Sequence, residues 1–232
     1  DQPMSLAGLF NPRWPGVALF DLDGTLVDSA PDLAAAVDQM LAHLGRSPAG
    51  IDRVRNWVGN GASVLVRRAL AGQVDWEPAR PKDEALFKDA LAIFYHAYGT
   101  LNGQHSVVYA GVEACLTHLK NQGCRLGIVT NKPEQFVAPL LEQMGLDHWF
   151  DLTVGGDTLP VKKPDPAPLL HAMETLGGTR GTTVMVGDSA ADINAALAAG
   201  IPCVAVRYGY NYGPAVDTLG ADAVVDSLAE LL

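Results

Sequence analysis

Short apolar segments alternate with helical patterns along most of this 232-residue chain, and this alternation limits the folds open to it. Six runs of aliphatic and β-branched residues each end at a polar residue or a glycine, at residues 17–20, 126–129, 152–154, 183–186, 203–206 and 223–225. Helical patterns separate the later runs, at residues 112–122, 133–144, 167–176 and 190–199. Strands that alternate with helices form βαβ units, so we predict an α/β fold with a Rossmann-like, mainly parallel sheet.

The alternation is interrupted between residues 29 and 98, where helical patterns follow one another without a strand. They cover residues 32–44, 62–71 and 83–98. We therefore predict a catalytic α/β core of residues 1–27 and 106–232, and an inserted helical cap of residues 28–105. Since the insertion begins where the first strand ends, it can close over a site there as a lid. Simple packing of these helices on the sheet is the alternative.

Composition and charge restrict the partners of the chain. The 26 acidic residues outnumber the 16 lysines and arginines, and the net charge of −10 disfavours binding to nucleic acid. No apolar stretch reaches the roughly 18–20 residues of a membrane helix. The three cysteines form no metal-binding or redox pair and suit a reducing compartment. We predict a cytoplasmic protein without nucleic-acid or membrane partners, and the sequence leaves its oligomeric state open.

The first strand ends in two carboxylates, Asp21 and Asp23, which point to the same side if the chain stays extended. Gly24 then allows the chain to turn. Open α/β sheets bind ligands just beyond the carboxyl ends of their strands. Two crowded carboxylates repel each other unless a cation binds or one of them takes up a proton. The pair therefore suits an oxygen-ligated metal such as Mg²⁺, or a protonated carboxylic acid beside an ionised one.

Polar residues also follow two later strands. Thr130 and Asn131 come after the run at 126–129 and offer a hydroxyl and an amide donor to a phosphoryl oxygen. Asp188 comes after the run at 183–186 and would face Asp21 and Asp23, which completes an oxygen-rich Mg²⁺ site. A loop stiffened by prolines at 164 and 166 carries two lysines, and such a loop can hold an ammonium near a phosphate.

Four segments, taken in order, resemble the motifs of the haloacid-dehalogenase superfamily, and the first resembles its phosphatase branch. They are D-L-D-G-T at residues 21–25, T-N at 130–131, K-P-D-P at 163–166 and G-D-S-A-A-D at 187–192. The resemblance implies a parallel-sheet core with a helical cap and an active site at the strand ends. In this family the lysine directly before the proline is catalytic, so Lys163 is expected to act and Lys162 to be solvated.

The resemblance also implies roles for individual residues of these segments. Asp21 is expected to be the nucleophile, and Asp23 the general acid and base. Mg²⁺ is expected at Asp21, Asp188 and Asp23, the last through its backbone carbonyl. The phosphate is expected to contact Gly24, Thr130, Asn131 and Lys163, of which Thr130 and Lys163 also count as catalytic. Asp192 is expected to orient the metal ligands from outside, and an ordinary acid in the first turn of a helix is the alternative.

Over nearly its whole length the sequence is similar to bacterial phosphoglycolate phosphatases, for example at residues 57–62 and 208–213. The similarity implies a Mg²⁺-dependent phosphoric monoester hydrolase that acts on a small phosphorylated metabolite. It would convert 2-phosphoglycolate to glycolate and phosphate through an aspartyl-phosphate. The alternatives are a sugar-phosphate phosphatase or mutase of the same superfamily, and a non-enzymatic interaction module. Candidates for binding the carboxylate of the substrate are the cap residues Arg53, Arg55, Arg67 and Arg68.

Overall fold

A computed structural model describes residues 6–10, 14–77 and 84–232 of the protein. The predicted start of the core at residue 1 and of one cap helix at residue 83 lie outside these described residues. The strands are β1 Val17–Phe20, β2 Val27–Asp28, β3 Val107–Val108, β4 Arg125–Val129, β5 Leu152–Val154, β6 Thr183–Gly187, β7 Cys203–Val206 and β8 Ala223–Val225. The helices are α1 Leu6–Phe10, α2 Ala30–His43, α3 Ile51–Arg55, α4 Ala62–Ala71, α5 Glu84–Leu101, α6 Val112–Asn121, α7 Val137–Met144, α8 Ala167–Thr175 and α9 Ala190–Ala199.

Six of these strands form one parallel sheet in the order β5-β4-β1-β6-β7-β8. This arrangement confirms the predicted α/β fold with a parallel sheet. The strand β1 lies in the middle, with β4 on one side and β6 on the other. The strand order reverses at β1, and ligands of open α/β sheets bind in the crevice at such a point. The residues that follow β1, β4 and β6 therefore meet at one edge of the sheet.

The strand β1 is completely buried because helices cover both faces of the sheet. Successive side chains of a strand point to opposite faces. Val17 and Leu19 accordingly pack in a hydrophobic cluster with α8 and α9. Ala18 and Phe20 pack in a second cluster with α6 and α7. Each large apolar side chain buried in this way contributes about 1.5–3 kcal/mol, so the strand that leads to Asp21 is held rigidly.

The helices α2 to α5, which are the observed part of the predicted helical cap, form a hydrophobic cluster of their own. Phe136 joins it from the core, and its ring centre lies 4.9 Å from that of Tyr98. The short strands β2 and β3 pair in antiparallel fashion where the chain leaves and re-enters the core. The contact through Phe136 places the helical cap beside the segment that follows β4. The boundaries at residues 28 and 105 remain predictions.

Three local features differ from the sequence-based expectations. The strands β2 and β3 were not expected, because two residues are too few to show an alternating pattern. The predicted helix at 133–144 begins as a 3₁₀ turn, Glu134–Phe136, and becomes α-helical only at Val137. The five-residue helix Ile51–Arg55 is also too short for a clear period. Within the described part of the chain, no helix has both the length and the apolar character needed to cross a membrane.

Candidate active site

A cluster of buried charges lies at the carboxyl end of β1. Asp21 follows the strand directly, and its Oδ1 accepts a 2.7 Å hydrogen bond from the Leu22 N–H. Lys163 Nζ lies 3.3 Å from the same Asp21 oxygen and 2.5 Å from Asp192 Oδ1. Lys163 is only 1% exposed, and Asp192 is fully buried. The structure thus brings the predicted nucleophile, the predicted catalytic lysine and Asp192 into direct contact.

Asp188 follows β6 and is held by hydrogen bonds on both carboxylate oxygens. Its Oδ1 accepts a 2.8 Å bond from Thr25 Oγ1, and its Oδ2 accepts a 2.7 Å bond from the Tyr210 N–H. Gly24 has φ of 84°, and a side chain there would collide with Asp188 and Tyr210. Glycine is therefore needed for this close approach. Gly24 is not among the residues that line the cavity beside Asp21, so its phosphate contact stays a prediction.

The buried carboxylates fit a divalent cation. Asp21, Asp188 and Asp192 each place an oxygen within 4.8 Å of the others. Burial, together with the charge of Asp192, raises the pKa of Asp21 to about 7. Burial and the charge of Asp21 raise the pKa of Asp188 well above its usual range. A hard cation such as Mg²⁺ would relieve this repulsion and prefers oxygen ligands, so the residues present suit the predicted metal.

Asp192 differs from the other two carboxylates because its hydrogen bonds are already made within the protein. Its Oδ1 faces Lys163 Nζ, and its Oδ2 accepts 2.9 and 3.3 Å bonds from the backbone N–H groups of Asp188 and Ser189. Burial alone would lower the pKa of Lys163, but Asp192 and Asp21 together raise it, so the group stays an ammonium. This arrangement supports the expected position of Asp192 outside the metal, and that role stays a prediction.

Asp23 pairs with a different lysine. Lys132 Nζ lies 3.0 and 3.2 Å from the two Asp23 oxygens, and Ser29 Oγ donates a 2.5 Å hydrogen bond to Asp23 Oδ1. The Lys132 ammonium also lies 4.5 Å from the ring centre of Tyr98, which is a cation–π contact with α5. The Asp23 carboxylate is not part of the three-carboxylate cluster. Its predicted metal contact therefore depends on the backbone carbonyl and stays a prediction.

Thr130 and Asn131 both line the cavity with Asp21 and make different contacts. Thr130 Oγ1 accepts a 3.1 Å hydrogen bond from the Lys132 N–H, which leaves the hydroxyl hydrogen free to donate. Asn131 Nδ2 donates to the carbonyls of Lys163 and Gly59 at 2.9 and 3.1 Å, while Asn131 Oδ1 accepts from the Lys163 N–H at 3.0 Å. Both amide hydrogens are engaged. The Asn131 side chain therefore braces Lys163, and the expected contact of Asn131 with phosphate stays a prediction.

The expectation that Lys162 is solvated is wrong. Its Nζ donates a 2.6 Å hydrogen bond to the Asn60 carbonyl in the helical cap, and burial lowers its pKa. The neighbouring Gly59 carbonyl accepts the hydrogen bond from Asn131. Core and helical cap thus meet at the turn of residues 59–61. The physical reason is that this turn presents free carbonyls to donors on two core loops.

None of the four cap arginines expected to bind a substrate carboxylate lines the cavity that contains Asp21. Their partners lie elsewhere: Arg53 donates to the Gly72 carbonyl, Arg55 lies 4.0 Å from Asp28, Arg67 pairs with Glu84, and Arg68 donates to the Trp57 and Val74 carbonyls. In place of an arginine, Lys132 lines this cavity. No role for Lys132 or for Thr25 was predicted from the sequence. Two features of the sequence could have indicated them: Lys132 follows Thr130 closely, and Thr25 follows the paired carboxylates Asp21 and Asp23.

Comparison with known proteins defines the class of enzyme. Residues 18–206 match the haloacid dehalogenase-like hydrolase family. The match covers most of the chain, so the chain belongs to this family and is a hydrolase.

Individual relatives within this family carry a more specific name than the family itself. The chain is 52% identical over 224 residues to the phosphoglycolate phosphatase of Pseudomonas putida, and the match covers 97% of this chain and 81% of that protein. It is 49% identical over 223 residues to phosphoglycolate phosphatase 1 of Pseudomonas aeruginosa, with 96% and 80% covered. A crystal structure of a predicted phosphoglycolate phosphatase from Haemophilus somnus superposes with a TM-score of 0.86 at 38% identity, with 93% of this chain and 96% of that chain covered.

Proposed function

We propose that this enzyme is a Mg²⁺-dependent phosphatase that hydrolyses 2-phosphoglycolate to glycolate and phosphate. The observation that carries the proposal is the buried contact of Asp21 with Lys163 at 3.3 Å, beside a cavity that Asp23 and Thr130 also line. A fixed carboxylate next to an ammonium suits nucleophilic attack on a phosphoryl group. The ammonium neutralises the negative charges of the carboxylate and of the phosphoryl oxygens, which otherwise repel each other. The names of the relatives at about half identity support the substrate.

The reaction follows from the positions of two aspartates. Asp21 attacks phosphorus in line with the ester oxygen, and the bond from phosphorus to the alcohol breaks as the aspartyl-phosphate forms. Asp23, as a carboxylic acid, gives its proton to the leaving oxygen. Water then attacks the phosphorus, passes a proton back to Asp23 and releases Asp21. One water is consumed, and one alcohol and one phosphate are formed.

The remaining residues bind the phosphoryl oxygens and the metal. Thr130 would donate its free hydroxyl hydrogen, and Lys163 its ammonium, to the oxygens on which negative charge gathers. Asp21, Asp188 and the backbone carbonyl of Asp23 would hold Mg²⁺. When it is bound, the metal supplies positive charge that screens the phosphoryl oxygens.

We infer that the helical cap of residues 28–105 acts as a lid for this site. The turn of residues 59–61 accepts hydrogen bonds from Asn131 and Lys162, and Gly59 and Gly61 line the cavity. Closure of this kind excludes water that would otherwise compete for the phosphoryl group. At this contact, opening would break the two hydrogen bonds from Asn131 and Lys162.

We further infer that the protein works in the cytoplasm on a small phosphorylated metabolite. Cys115, Cys124 and Cys203 are free and buried. Burial raises the pKa of Cys115 and of Cys124 to about 12, so both stay neutral thiols. Unpaired thiols of this kind suit a reducing compartment.

A panel of phosphate monoesters tests the proposal. The purified enzyme with Mg²⁺ should hydrolyse 2-phosphoglycolate with a higher kcat/KM than hexose phosphates, glycerol phosphate or p-nitrophenyl phosphate. A hexose phosphate preferred by about tenfold, which is roughly 1.4 kcal/mol in the transition state, would contradict phosphoglycolate as the substrate. Such a result would favour a sugar-phosphate phosphatase. Absence of phosphate release from every ester would contradict the phosphatase reaction itself.

A further inference from the structure

Lys132 carries a buried ammonium with hydrogen-bonding capacity to spare. Its side chain is 2% exposed and lines the cavity that contains Asp21 and Asp23. An ammonium has three N–H donors. Among the described residues, Asp23 accepts hydrogen bonds from this ammonium, and the Tyr98 ring lies 4.5 Å away on another side. The ammonium therefore keeps a donor for an anionic group that enters the cavity.

A second polar group beside Lys132 has no partner. Tyr98 lines the same cavity, and its buried hydroxyl makes no hydrogen bond within the described part of the protein. Burial raises the pKa of Tyr98 well above its usual range, so the phenol stays neutral and can donate. Buried polar groups are normally hydrogen-bonded, and an unpaired one in a binding cavity indicates a ligand or water that completes it.

The other cations near the cavity are already engaged. Lys163 faces Asp21 and Asp192, at the point where phosphorus would react. Lys162 donates to the Asn60 carbonyl. The four cap arginines bind carbonyls and carboxylates elsewhere, as described above. Among the described residues, Lys132 is thus the lysine or arginine that lines this cavity.

The position of Lys132 matches the geometry of a small carboxylated ester. A single methylene separates the ester oxygen of 2-phosphoglycolate from its carboxylate carbon, so ordinary bond lengths put the carboxylate oxygens about 2.6–3.6 Å from the ester oxygen. Asp23 must approach that ester oxygen to about 2.6–3.2 Å in order to protonate it. Lys132 Nζ lies 3.0 Å from Asp23. A carboxylate on the leaving group therefore falls within reach of Lys132.

We propose that Lys132 recognises the carboxylate of the leaving group and, from the same position, holds Asp23 against the ester oxygen. Tyr98 supplies a second donor to the carboxylate. This inference rests on the proposed function. It names the residue by which the proposed phosphatase distinguishes a carboxylated ester from other phosphate esters. Selection for the carboxylate thereby comes from the loop after β4 rather than from an arginine of the helical cap.

The test compares two substrates of nearly equal size in the wild-type and variant enzymes with Mg²⁺. One is 2-phosphoglycolate, and the other is the phosphate ester of glycolamide, which replaces the carboxylate by a neutral amide. Lys132→Met removes the charge and keeps much of the side-chain length. We expect kcat/KM for 2-phosphoglycolate to fall about 10- to 150-fold, the range for one hydrogen bond between charged groups. For the amide we expect only the smaller fall that comes from the lost positioning of Asp23, which both substrates share. The ratio of the two kcat/KM values therefore falls, and the preference for the carboxylate disappears.

Three further variants keep the result interpretable. Lys88→Met makes the same change at an exposed position of α5 and should leave both substrates unaffected. Lys132→Arg keeps the charge and should retain part of the preference. Tyr98→Phe removes only the unpaired hydroxyl and should reduce the preference several-fold. Circular dichroism melting curves check that each variant is folded.

Each other outcome overturns the inference. Equal falls in kcat for both substrates would make Lys132 a positioning residue for Asp23 without a role in selection. An unchanged preference in both Lys132→Met and Tyr98→Phe would remove the two residues from recognition, while the proposed function stands. A wild-type enzyme that hydrolyses other esters and ignores 2-phosphoglycolate would overturn both this inference and the proposed substrate.

Discussion

Two charged groups meet at the same cavity, one of them through Asp21, and they are built in different ways. The inner cluster, made of Asp21, Asp188, Asp192 and Lys163, is held by core segments that follow the strands of the sheet. The outer pair, Asp23 with Lys132, touches α5 of the helical cap through Tyr98. The inner cluster can therefore keep its geometry whatever the cap does, whereas the outer pair depends on both parts. This difference separates the nucleophile and the charges around it from the pair that joins the proposed general acid to the residue proposed to choose the substrate.

The largest effect is expected from the inner cluster. Asp21→Asn removes the nucleophile, and kcat should fall at least about 10⁴-fold for every ester. The fold should persist, because the amide relieves repulsion with Asp188 and Asp192. Steady-state phosphate release and thermal melting measure the two effects. The exposed Asp89→Asn is the matched control and should retain full activity. Substantial turnover by pure Asp21→Asn protein would remove Asp21 from the role of nucleophile.

A second effect separates metal binding from substrate recognition. Asp188→Asn keeps the size of the side chain and lowers the charge at the metal site. Its one oxygen can accept from the Tyr210 N–H, and its amide nitrogen can donate to the Thr25 hydroxyl oxygen. The dissociation constant for Mg²⁺ should rise roughly 100-fold, while the preference for the carboxylated substrate stays as in the wild type. Activity titrated against Mg²⁺ for two substrates measures both quantities. If the preference for the carboxylated substrate were lost at saturating Mg²⁺, the inner cluster would also take part in substrate recognition.

The dependence of stability on pH should also originate in the inner cluster. The pKa of Asp21 is raised from 3.8 to about 7 in the folded protein. A raised carboxyl pKa stabilises the fold while the group is protonated, and this contribution is lost as the pH rises from below about 4 through about 7. Mg²⁺ offsets the resulting repulsion. Saturating Mg²⁺ should therefore raise the Tm by about 5–10 °C at pH 8 and by much less at pH 5.5.

Differential scanning calorimetry with and without EDTA measures these shifts. The Asp21→Asn variant is the control, since an amide does not titrate, and the difference between the Mg²⁺ effects at the two pH values should shrink. Asp188, whose pKa burial also raises, accounts for the difference that remains. Equal shifts in the wild type at pH 5.5 and pH 8 would contradict the origin of the effect in the crowded carboxylates.

The smallest effect is expected where the cap meets the core. Lys162→Met removes the 2.6 Å hydrogen bond to the Asn60 carbonyl and leaves the inner cluster intact. The closed lid should become less stable, and kcat/KM for 2-phosphoglycolate should fall about 3- to 10-fold. A smaller fall is expected for p-nitrophenyl phosphate, whose leaving group needs less protection from water. Lys120→Met, on the surface of α6, serves as control. Identical falls for both esters would argue against a role in closure.

The contrast between inner cluster and outer pair also marks the limit of prediction from the sequence. The inner residues follow buried strands, and the parallel sheet aligns the ends of those strands, so local patterns sufficed to bring Asp21 and Asp188 together. The strand at Val17–Phe20 and the helix at Ala190–Ala199 were predicted with their observed bounds. The parallel order of the strands determined the remaining positions, because the carboxyl ends of the strands share one edge of the sheet.

The outer pair could not be predicted in this way. The contact between Lys132 and Tyr98 joins segments that are distant in the chain, and it depends on how the helical cap packs on Phe136. No periodicity encodes that packing. The prediction for Lys162 was wrong for a related reason. Its partner is a backbone carbonyl, which every residue type carries, so no residue type in the sequence indicates this contact.

One amide group gives the molecule an evolutionary constraint. The side chain of Asn131 forms hydrogen bonds with the backbone of Lys163 and with the backbone of Gly59. Neither contact depends on the side chains at those positions. Aspartate there would lose both donors, and leucine would lose every bond. A lineage that acquires new substrates can therefore change the side chains of the turn at residues 59–61 and keep this bond, provided that the peptide of Gly59 keeps its place. Together with the Lys162 contact to the Asn60 carbonyl, this carboxamide ties the turn to the reaction site through backbone atoms of the turn alone.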